Sequence, residues 1–248
     1  RKAFAPLVEK VSFASFGDID SLRSVIDEDT AFIILEPVQG ESGIIVAPDG
    51  FLQEVRKLCD EKGIILIFDE IQAGLGRTGR LWAGEHWNTV PDILCLAKGI
   101  AGGVPMGATL VRPDILASIS KGEHSSTFGG NPISCAAGIA ALTAITEDGL
   151  IENSKKMGEL FKEGLEKLKE KHTMIREIRG KGLMIGIELK FEVKNILMEL
   201  IEEGVLMLYS GRNILRILPP LVITEEDVTK VLGALDVVIS KEEEKKNV

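Results

Sequence analysis

The chain has 248 residues, 45% of them hydrophobic and 27% charged, enough apolar material for one large or two modest folded units. Its formal charge of −9 and pI near 5.1 argue against nucleic acid or an anionic membrane surface as a partner, since both would repel it. No apolar run approaches the roughly 18 residues that a bilayer crossing needs and no signal-type block follows Phe4, so the expected compartment is the cytoplasm and the expected ligands are small molecules and protein.

The first half alternates short apolar runs with amphipathic segments and glycine-rich turns, the pattern of an α/β unit on a mostly parallel sheet. Residues 31–35 form its first strand. Residues 49–59 set Phe51, Leu52, Val55, Leu58 and Cys59 at helical spacing, entered by Pro48 and Asp49 and stopped by Gly63. The runs 64–68, 93–97 and 108–111 continue the series. The first of them is apolar throughout and expected to be buried on both faces, and the crossover rule makes the three parallel neighbours.

A small-residue helix at 133–145 closes at Asp148 and Gly149, where a boundary divides a first domain, 1–149, from a second, 150–248. The second reads as a small α+β unit. It holds a charged amphipathic helix at 150–171, strands at 175–179 and 183–189, a helix at 193–203, strands at 205–208 and 214–218, and a last helix at 225–239. The tail from 241 to 248 is expected to be frayed and solvated. Cys59, Cys95 and Cys135 stand singly in apolar surroundings and read as small core residues. The histidines have no metal-ligand spacing, and no metal site is expected.

Ligands of open α/β sheets gather beyond the carboxyl ends of the strands, so the polar residues that follow apolar runs are the candidates for chemistry. Asp69, Glu70, Ile71 and Gln72 follow 64–68, Lys98 and Gly99 follow 93–97, and residues 36–41 follow the first strand. A lysine drawn partly out of water at a strand end is a candidate amine nucleophile. Each signal alone is ambiguous, because such a lysine commonly snorkels to solvent and such an aspartate commonly caps the next turn. Arg216 lies in an apolar run, where a guanidinium calls for an anion and a carboxylate is its natural bidentate partner.

The blocks EPVQGE at 36–41, FDEIQAGLGRTG at 68–79, PDI at 91–93, AKG at 97–99, GGVPMG at 102–107 and STFGGNP at 126–132 resemble the class III aminotransferases. RGKGLMIG at 179–186 and LRILPPL at 215–221 extend the resemblance over nearly the whole chain. Within the class, the sequence is most similar to aminotransferases acting on acetylornithine and on acetylated or carrier-linked lysine. The resemblance implies the large domain of a pyridoxal 5′-phosphate-dependent transferase, in part, followed by a small carboxy-terminal domain.

That resemblance also implies roles. Lys98 would carry pyridoxal 5′-phosphate covalently and then move a proton between substrate and cofactor carbons. Asp69 would pair with the ring nitrogen, Gln72 with the ring hydroxyl, and Ile71 would pack on the ring face, although ordinary core packing explains Ile71 nearly as well. Ser126 and Thr127 would donate to the cofactor phosphate in the site of a neighbouring subunit, which implies a homodimer with shared active sites. Arg216 would take the α-carboxylate of 2-oxoglutarate, and Glu41 would cover it while the ω-amino donor is bound. Asn131 and Gly40 read as turn-shaping residues.

The sequence also departs from the family's pattern. Ala73 stands where threonine is usual. The glycine-containing loop and helix N-terminus that hold the phosphate, and the aromatic residue that stacks on the ring, are expected to precede the first residue, and without them cofactor binding would be weakened. The reading is transfer of a terminal amino group from N-acetylornithine or an acylated lysine to 2-oxoglutarate. The alternatives are a related enzyme using ornithine or 4-aminobutyrate, or a non-catalytic subunit of the same fold.

Overall fold

A computed structural model describes residues 4–246 of the chain. Helix α1 (Ile19–Val25) begins at Asp18, whose carboxylate accepts the amides of Asp20 and Ser21 at 3.0 and 2.9 Å. Strand β1 (Phe32–Leu35) follows, then an antiparallel hairpin of β2 (Val38–Gln39) and β3 (Ile45–Val46). Helix α2 (Phe51–Lys62) comes next and buries Phe51, Leu52, Val55, Leu58 and Cys59, the five residues whose spacing predicts it. It stops at Gly63, as expected, where φ of 68° suits glycine and the amide returns to the Cys59 carbonyl. Its entry differs from expectation. Gly50, at φ 80°, precedes Phe51, and neither Pro48 nor Asp49 lies inside the helix.

Strands β4 (Ile65–Asp69), β5 (Ile93–Leu96) and β6 (Ala108–Val111) complete a sheet of order β1-β4-β5-β6. The β1–β4 and β4–β5 pairs are parallel, whereas β6 runs antiparallel to β5, against the expectation of three parallel neighbours. The link at 97–107 contains only one 3-10 helix, Lys98–Ala101, too little chain to carry a crossover back to the far end of the sheet. Strand β4 is also not buried on both faces. Leu66 and Phe68 are buried, but Ile65 and Ile67 are half-buried, and beside them Phe32 and Ile34 of β1 are 52% and 54% exposed. Among the described residues, α2 and its neighbours cover one face of this sheet.

A four-residue helix, α3 (Pro113–Leu116), precedes the Ala-rich helix α4 (Pro132–Glu147), which Asn131 caps by accepting the Ser134 amide at 2.9 Å. Small residues let α4 approach the 3-10 helix and the loop after it closely: a Cβ on Gly138 would meet the Ile100 carbonyl at 3.6 Å and Met106 Sδ at 3.0 Å. Helix α5 (Leu150–Lys171), strands β7 (Ile175–Lys181) and β8 (Met184–Leu189), helix α6 (Lys194–Glu202), strands β9 (Leu208–Ser210) and β10 (Ile214–Ile217), and helix α7 (Glu225–Lys246) form the rest. Their antiparallel sheet has the order β7-β8-β10-β9. It packs on a separate core that includes Phe161 and Leu165 of α5, Ile187 and Leu189 of β8, and Val228 and Leu235 of α7. Each such side chain contributes about 1.5–3 kcal/mol by leaving water.

Two details of this half depart from the sequence reading. Strand β9 begins at Leu208, later than expected, because the Val205 amide is held by the Leu200 carbonyl as α6 ends. The tail is not frayed as far as Lys246. Helix α7 continues past Ile239, Glu242 is buried, and Glu243 accepts both the His172 ring and the Met174 amide at 2.9 Å. The last two residues of the expected tail lie outside the described residues.

Candidate active site

Parallel strands bring their carboxyl ends to one edge, so β1, β4 and β5 place Glu36, Asp69 and Lys98 near one another. Asp69 sits opposite Cys95 in the β4–β5 register, three residues before Lys98. One of its carboxylate oxygens accepts the Ile71 amide at 3.0 Å, the turn-capping bond expected of an acid at a strand end. Lys98 opens the 3-10 helix with a φ of 48°, a left-handed conformation that costs a non-glycine residue about 1–3 kcal/mol. Gly102 closes that helix in the same region of backbone space, and Ile100 and Ala101 are buried beneath it. The amine therefore projects from a short, strained, well-anchored turn.

Glu36 is among the strand-end candidates that the sequence offers, but neither spacing nor resemblance gives it a role. Its carboxylate accepts the Gly40 amide at 2.9 Å. Burial raises its pKa, the Gly40 amide opposes that, and the Asp69 charge raises it further while Lys98 lowers it. An acid pair thus faces one amine.

A second group is brought in by the hairpin. Glu41 lies in the turn between β2 and β3, and its Oε1 sits 2.8 Å from Nη1 of Arg216 in β10. Arg216 also donates to the Gly40 carbonyl at 3.3 Å, while its Nε has no hydrogen-bond partner. The guanidinium is buried, at 7% exposed, whereas the Glu41 side chain is 77% exposed. The hydrogen bond from Arg216 is the main reason that the Glu41 carboxyl is held below its ordinary range. Ser210 Oγ donates to the Glu41 carbonyl and Arg179 Nε to the Gly43 carbonyl, fixing the turn against the second sheet.

Gln72 completes this chain by donating to Glu41 Oε1 at 3.4 Å, a weak bond, while its own Oε1 is buried without a partner. Gly40 opens the turn, as expected, with its carbonyl accepting the Gly43 and Ile44 amides at 3.3 and 3.4 Å, and it also allows a close approach: a Cβ at that position would run into the Gln72 amide. Asn131 does serve its turn, as the cap of α4.

Lys98, Ile71, Gln72, Glu41 and Arg216 all line one cleft of about 580 Å³, within the usual size of a small-molecule site, and Leu218, Leu221 and Val222 supply apolar wall. Asp69 stands behind it at the strand end and is not part of its lining. Ser126 and Thr127 are exposed residues of the segment before α4, and within one chain they do not reach this cleft. Glu70, next to Asp69, is used elsewhere. It accepts the amides of Ala83 and Gly84 at 2.6 and 2.9 Å, and burial pushes its pKa up to about 7 against the pull of those bonds.

The donor set fits pyridoxal phosphate. An amine, a strand-end carboxylate and a half-buried apolar residue match the carbonyl, the ring nitrogen and the ring face, and the orphaned Gln72 oxygen and Arg216 Nε are buried groups of this cleft that still lack partners.

An α/β sheet with such an amine at its carboxyl edge and a buried arginine facing it belongs to a known class. A family model described as Aminotransferase class-III matches residues 4–239, and the chain belongs to that family, whose cofactor is pyridoxal 5′-phosphate. Among curated relatives, it is 45% identical over 241 residues to an acetylornithine aminotransferase of Caldanaerobacter subterraneus, covering 97% of this chain and 61% of that one. It is 43% identical over 242 residues to ornithine aminotransferase 1 of Staphylococcus saprophyticus, with shares of 97% and 61%. A solved ornithine aminotransferase of Toxoplasma gondii, described with partial occupancy of PLP at its active site, superposes with a TM-score of 0.95 at 35% identity, over 99% of this chain and 59% of that one. The chain spans about 60% of the length of the relatives it matches.

Proposed function

We propose that this chain supplies the catalytic lysine and the carboxylate-recognition arginine of a pyridoxal-phosphate-dependent transaminase that moves a terminal amino group from N-acetylornithine or an acylated lysine to 2-oxoglutarate. The observation that carries the reading is the Glu41–Arg216 pair in the cleft of Lys98. A buried guanidinium held by a single carboxylate, itself on an exposed turn, can exchange that carboxylate for one on a substrate. One pocket then serves two substrates, a donor without a carboxylate at that end and an acceptor with one.

When bound, pyridoxal phosphate supplies a carbonyl for the amine and a ring that takes up electron density from the substrate carbon. Lys98 would hold it through its amine, and the same amine would serve as the proton carrier at the substrate carbon. Asp69 keeps the ring nitrogen protonated, Gln72 bonds the ring hydroxyl and Ile71 covers the ring. Ser126 and Thr127 hold phosphate in the site of a second copy. The exposed apolar residues beside them, Phe128 and then Ile133 and Ile139 on α4, support pairing through this face. The division into a cofactor-holding domain, 1–149, and a smaller domain, 150–248, belongs to the same reading, supported by the two separate cores. So does a cytoplasmic setting in arginine or lysine biosynthesis. Among the described residues, no single helix is long and apolar enough to cross a membrane.

The names of the relatives keep ornithine in view as the amino donor, and a panel of acetylornithine, acetyl-lysine, ornithine and 4-aminobutyrate decides among them. The cofactor reading is tested by borohydride reduction of protein incubated with pyridoxal phosphate. A mass increase confined to the peptide of Lys98 is expected, and it is lost in Lys98→Ala. Labelling spread over other lysines, or unchanged in Lys98→Ala, would overturn it.

A further inference from the structure

A second cleft, of about 280 Å³, shares no lining residue with the first. It lies between the 78–80 segment that follows β4 and the α5–β7 region, with Thr78, Arg80, His86, Lys155, Lys162 and Lys181 around it. Its charge is unusual for a chain with a net charge of −9. Arg80, Lys155, Lys162 and Lys181 make no ion pair among the described residues, and Lys181 rests over the Trp87 ring at 5.1 Å. Arg179 also lines the cleft but is neutralised by Glu177 and Glu188 at 2.7 and 2.8 Å. Glu159 is the one carboxylate in the lining.

The wall of this cleft contains a polar group with nothing to bond. Thr78 is 1% exposed, and its hydroxyl has no hydrogen-bond partner. Burying a hydroxyl unsatisfied is costly, and an oxygen acceptor placed in the cleft removes the cost. The neighbouring His86 ring bonds the Thr78 carbonyl through Nε2 at 3.0 Å, and burial together with the charges of Lys181 and Arg80 keeps it neutral, its pKa lowered to about 4. The main chain around the site is tightly fitted. A Cβ on Gly158 would overlap Gly182, and one on Gly182 would overlap Thr78 and Gly79. The backbone therefore holds the donors in place.

We propose that this cleft is a binding site for a small phosphate-class oxyanion, with Thr78 as its buried hydroxyl donor and Arg80, Lys155, Lys162 and Lys181 as its counter-charges. Apart from the single carboxylate of Glu159 and the neutral His86, the side chains named are donors or cations, which suits an acceptor of multiple negative charge and disfavours a metal ion. The charges come from both sides of the junction between the two sheets, so the bound ion ties the 78–80 segment to α5 and β7. The proposal is independent of the transaminase reading, since none of its residues serves that chemistry.

The test is a titration of the full chain with inorganic phosphate at constant ionic strength, read by melting temperature and by the amide resonances of the cleft glycines. A saturable rise in melting temperature is expected, with shifts at Gly79, Gly158, Gly180 and Gly182. The pair Lys155→Gln and Lys162→Gln should weaken the affinity at least tenfold. Thr78→Val, which replaces the unpartnered hydroxyl by a methyl group, should raise the melting temperature without phosphate and reduce the increment that phosphate adds. Equal affinity in the double variant, an undiminished increment in Thr78→Val, or shifts confined to Gly99 and Gly102 of the first cleft would each overturn the proposal.

Discussion

The Glu41 carboxylate lies 2.8 Å from the Arg216 guanidinium and joins an exposed hairpin turn to a strand buried in the second sheet. Two groups of such different exposure make an exchangeable pair, because solvent replaces one partner easily and the other only when a new anion arrives. Glu41→Gln should therefore tighten 2-oxoglutarate binding about three- to tenfold by releasing Arg216. Arg216→Lys should weaken it at least tenfold, since an ammonium cannot reproduce the bidentate fork. Calorimetric titration with 2-oxoglutarate checks both, and equal affinities in wild type and Glu41→Gln would contradict exchange.

Gly40 is where backbone and side chain come closest at the site. In Gly40→Ala the new Cβ displaces the Gln72 amide and with it the link to Glu41. A stability loss of about 1–3 kcal/mol is expected from overpacking, with pyridoxal phosphate bound at least tenfold more weakly. Denaturant melts and fluorescence titration measure the two effects, and an unperturbed cofactor affinity would show that Gln72 does not touch the ring.

Asp92 belongs to a block shared with the family yet does structural work. It is buried and accepts from Arg56 at 2.8 Å, from Arg112 at 2.7 Å and from the Leu66 amide at 2.8 Å. Burial works to raise its pKa, but these partners more than offset it and hold it low. Asp92→Ala leaves the buried Leu66 amide without its acceptor and leaves Arg56 with only its exposed partner Asp60 at 2.7 Å, and a loss of about 3 kcal/mol is expected in urea melts. Little change in the cofactor or substrate affinity of the folded fraction should accompany it.

The end of α7 should respond to acid. His172 is buried with Asp236 at 2.6 Å from one ring nitrogen and Glu243 at 2.9 Å from the other. Hydrogen bonds from Lys171 and His172 lower the pKa of Asp236. For Glu243, burial acts to raise the pKa, but His172 and the Met174 amide outweigh it. Carboxylates whose folded pKa lies below the unfolded one add stability above the ordinary carboxylate range and lose it as pH falls through their lowered values. Glu243→Gln should thus melt lower than wild type at pH 7, by about 1–2 kcal/mol, with the gap closing between about pH 4.5 and 3. A gap that persists at pH 3 would assign the effect to packing instead.

Much of this protein could be read from local pattern. The apolar spacing of α2, the 150–171 helix and the strand-end positions of Asp69 and Lys98 depend on periodicity and chain order, and the structure has α5 over the same residues. Where the sequence reading failed, the deciding contact was distant or the connection was short. Strand β6 turned antiparallel because its link is too brief for a crossover. The tail stayed helical because His172, some seventy residues earlier, holds Glu243. Glu36, a strand-end candidate without a role in the sequence, gains one only from Asp69 and Lys98, which follow two other strands.

The sequence by itself determined which residues are the candidates for chemistry, because an amine after an apolar strand, an acid after its neighbour and an arginine within an apolar run are properties of residue type and order. Only the tertiary structure decided what those residues face. It set Arg216 against Glu41 across 175 positions of chain, left Ser126 and Thr127 outside the cleft of their own chain, and placed Thr78, whose hydroxyl lacks a partner, in a cleft lined by four cations unpaired among the described residues. Such neighbours follow from how two sheets pack against each other, and sheet packing depends on the whole core rather than on any local run of sequence.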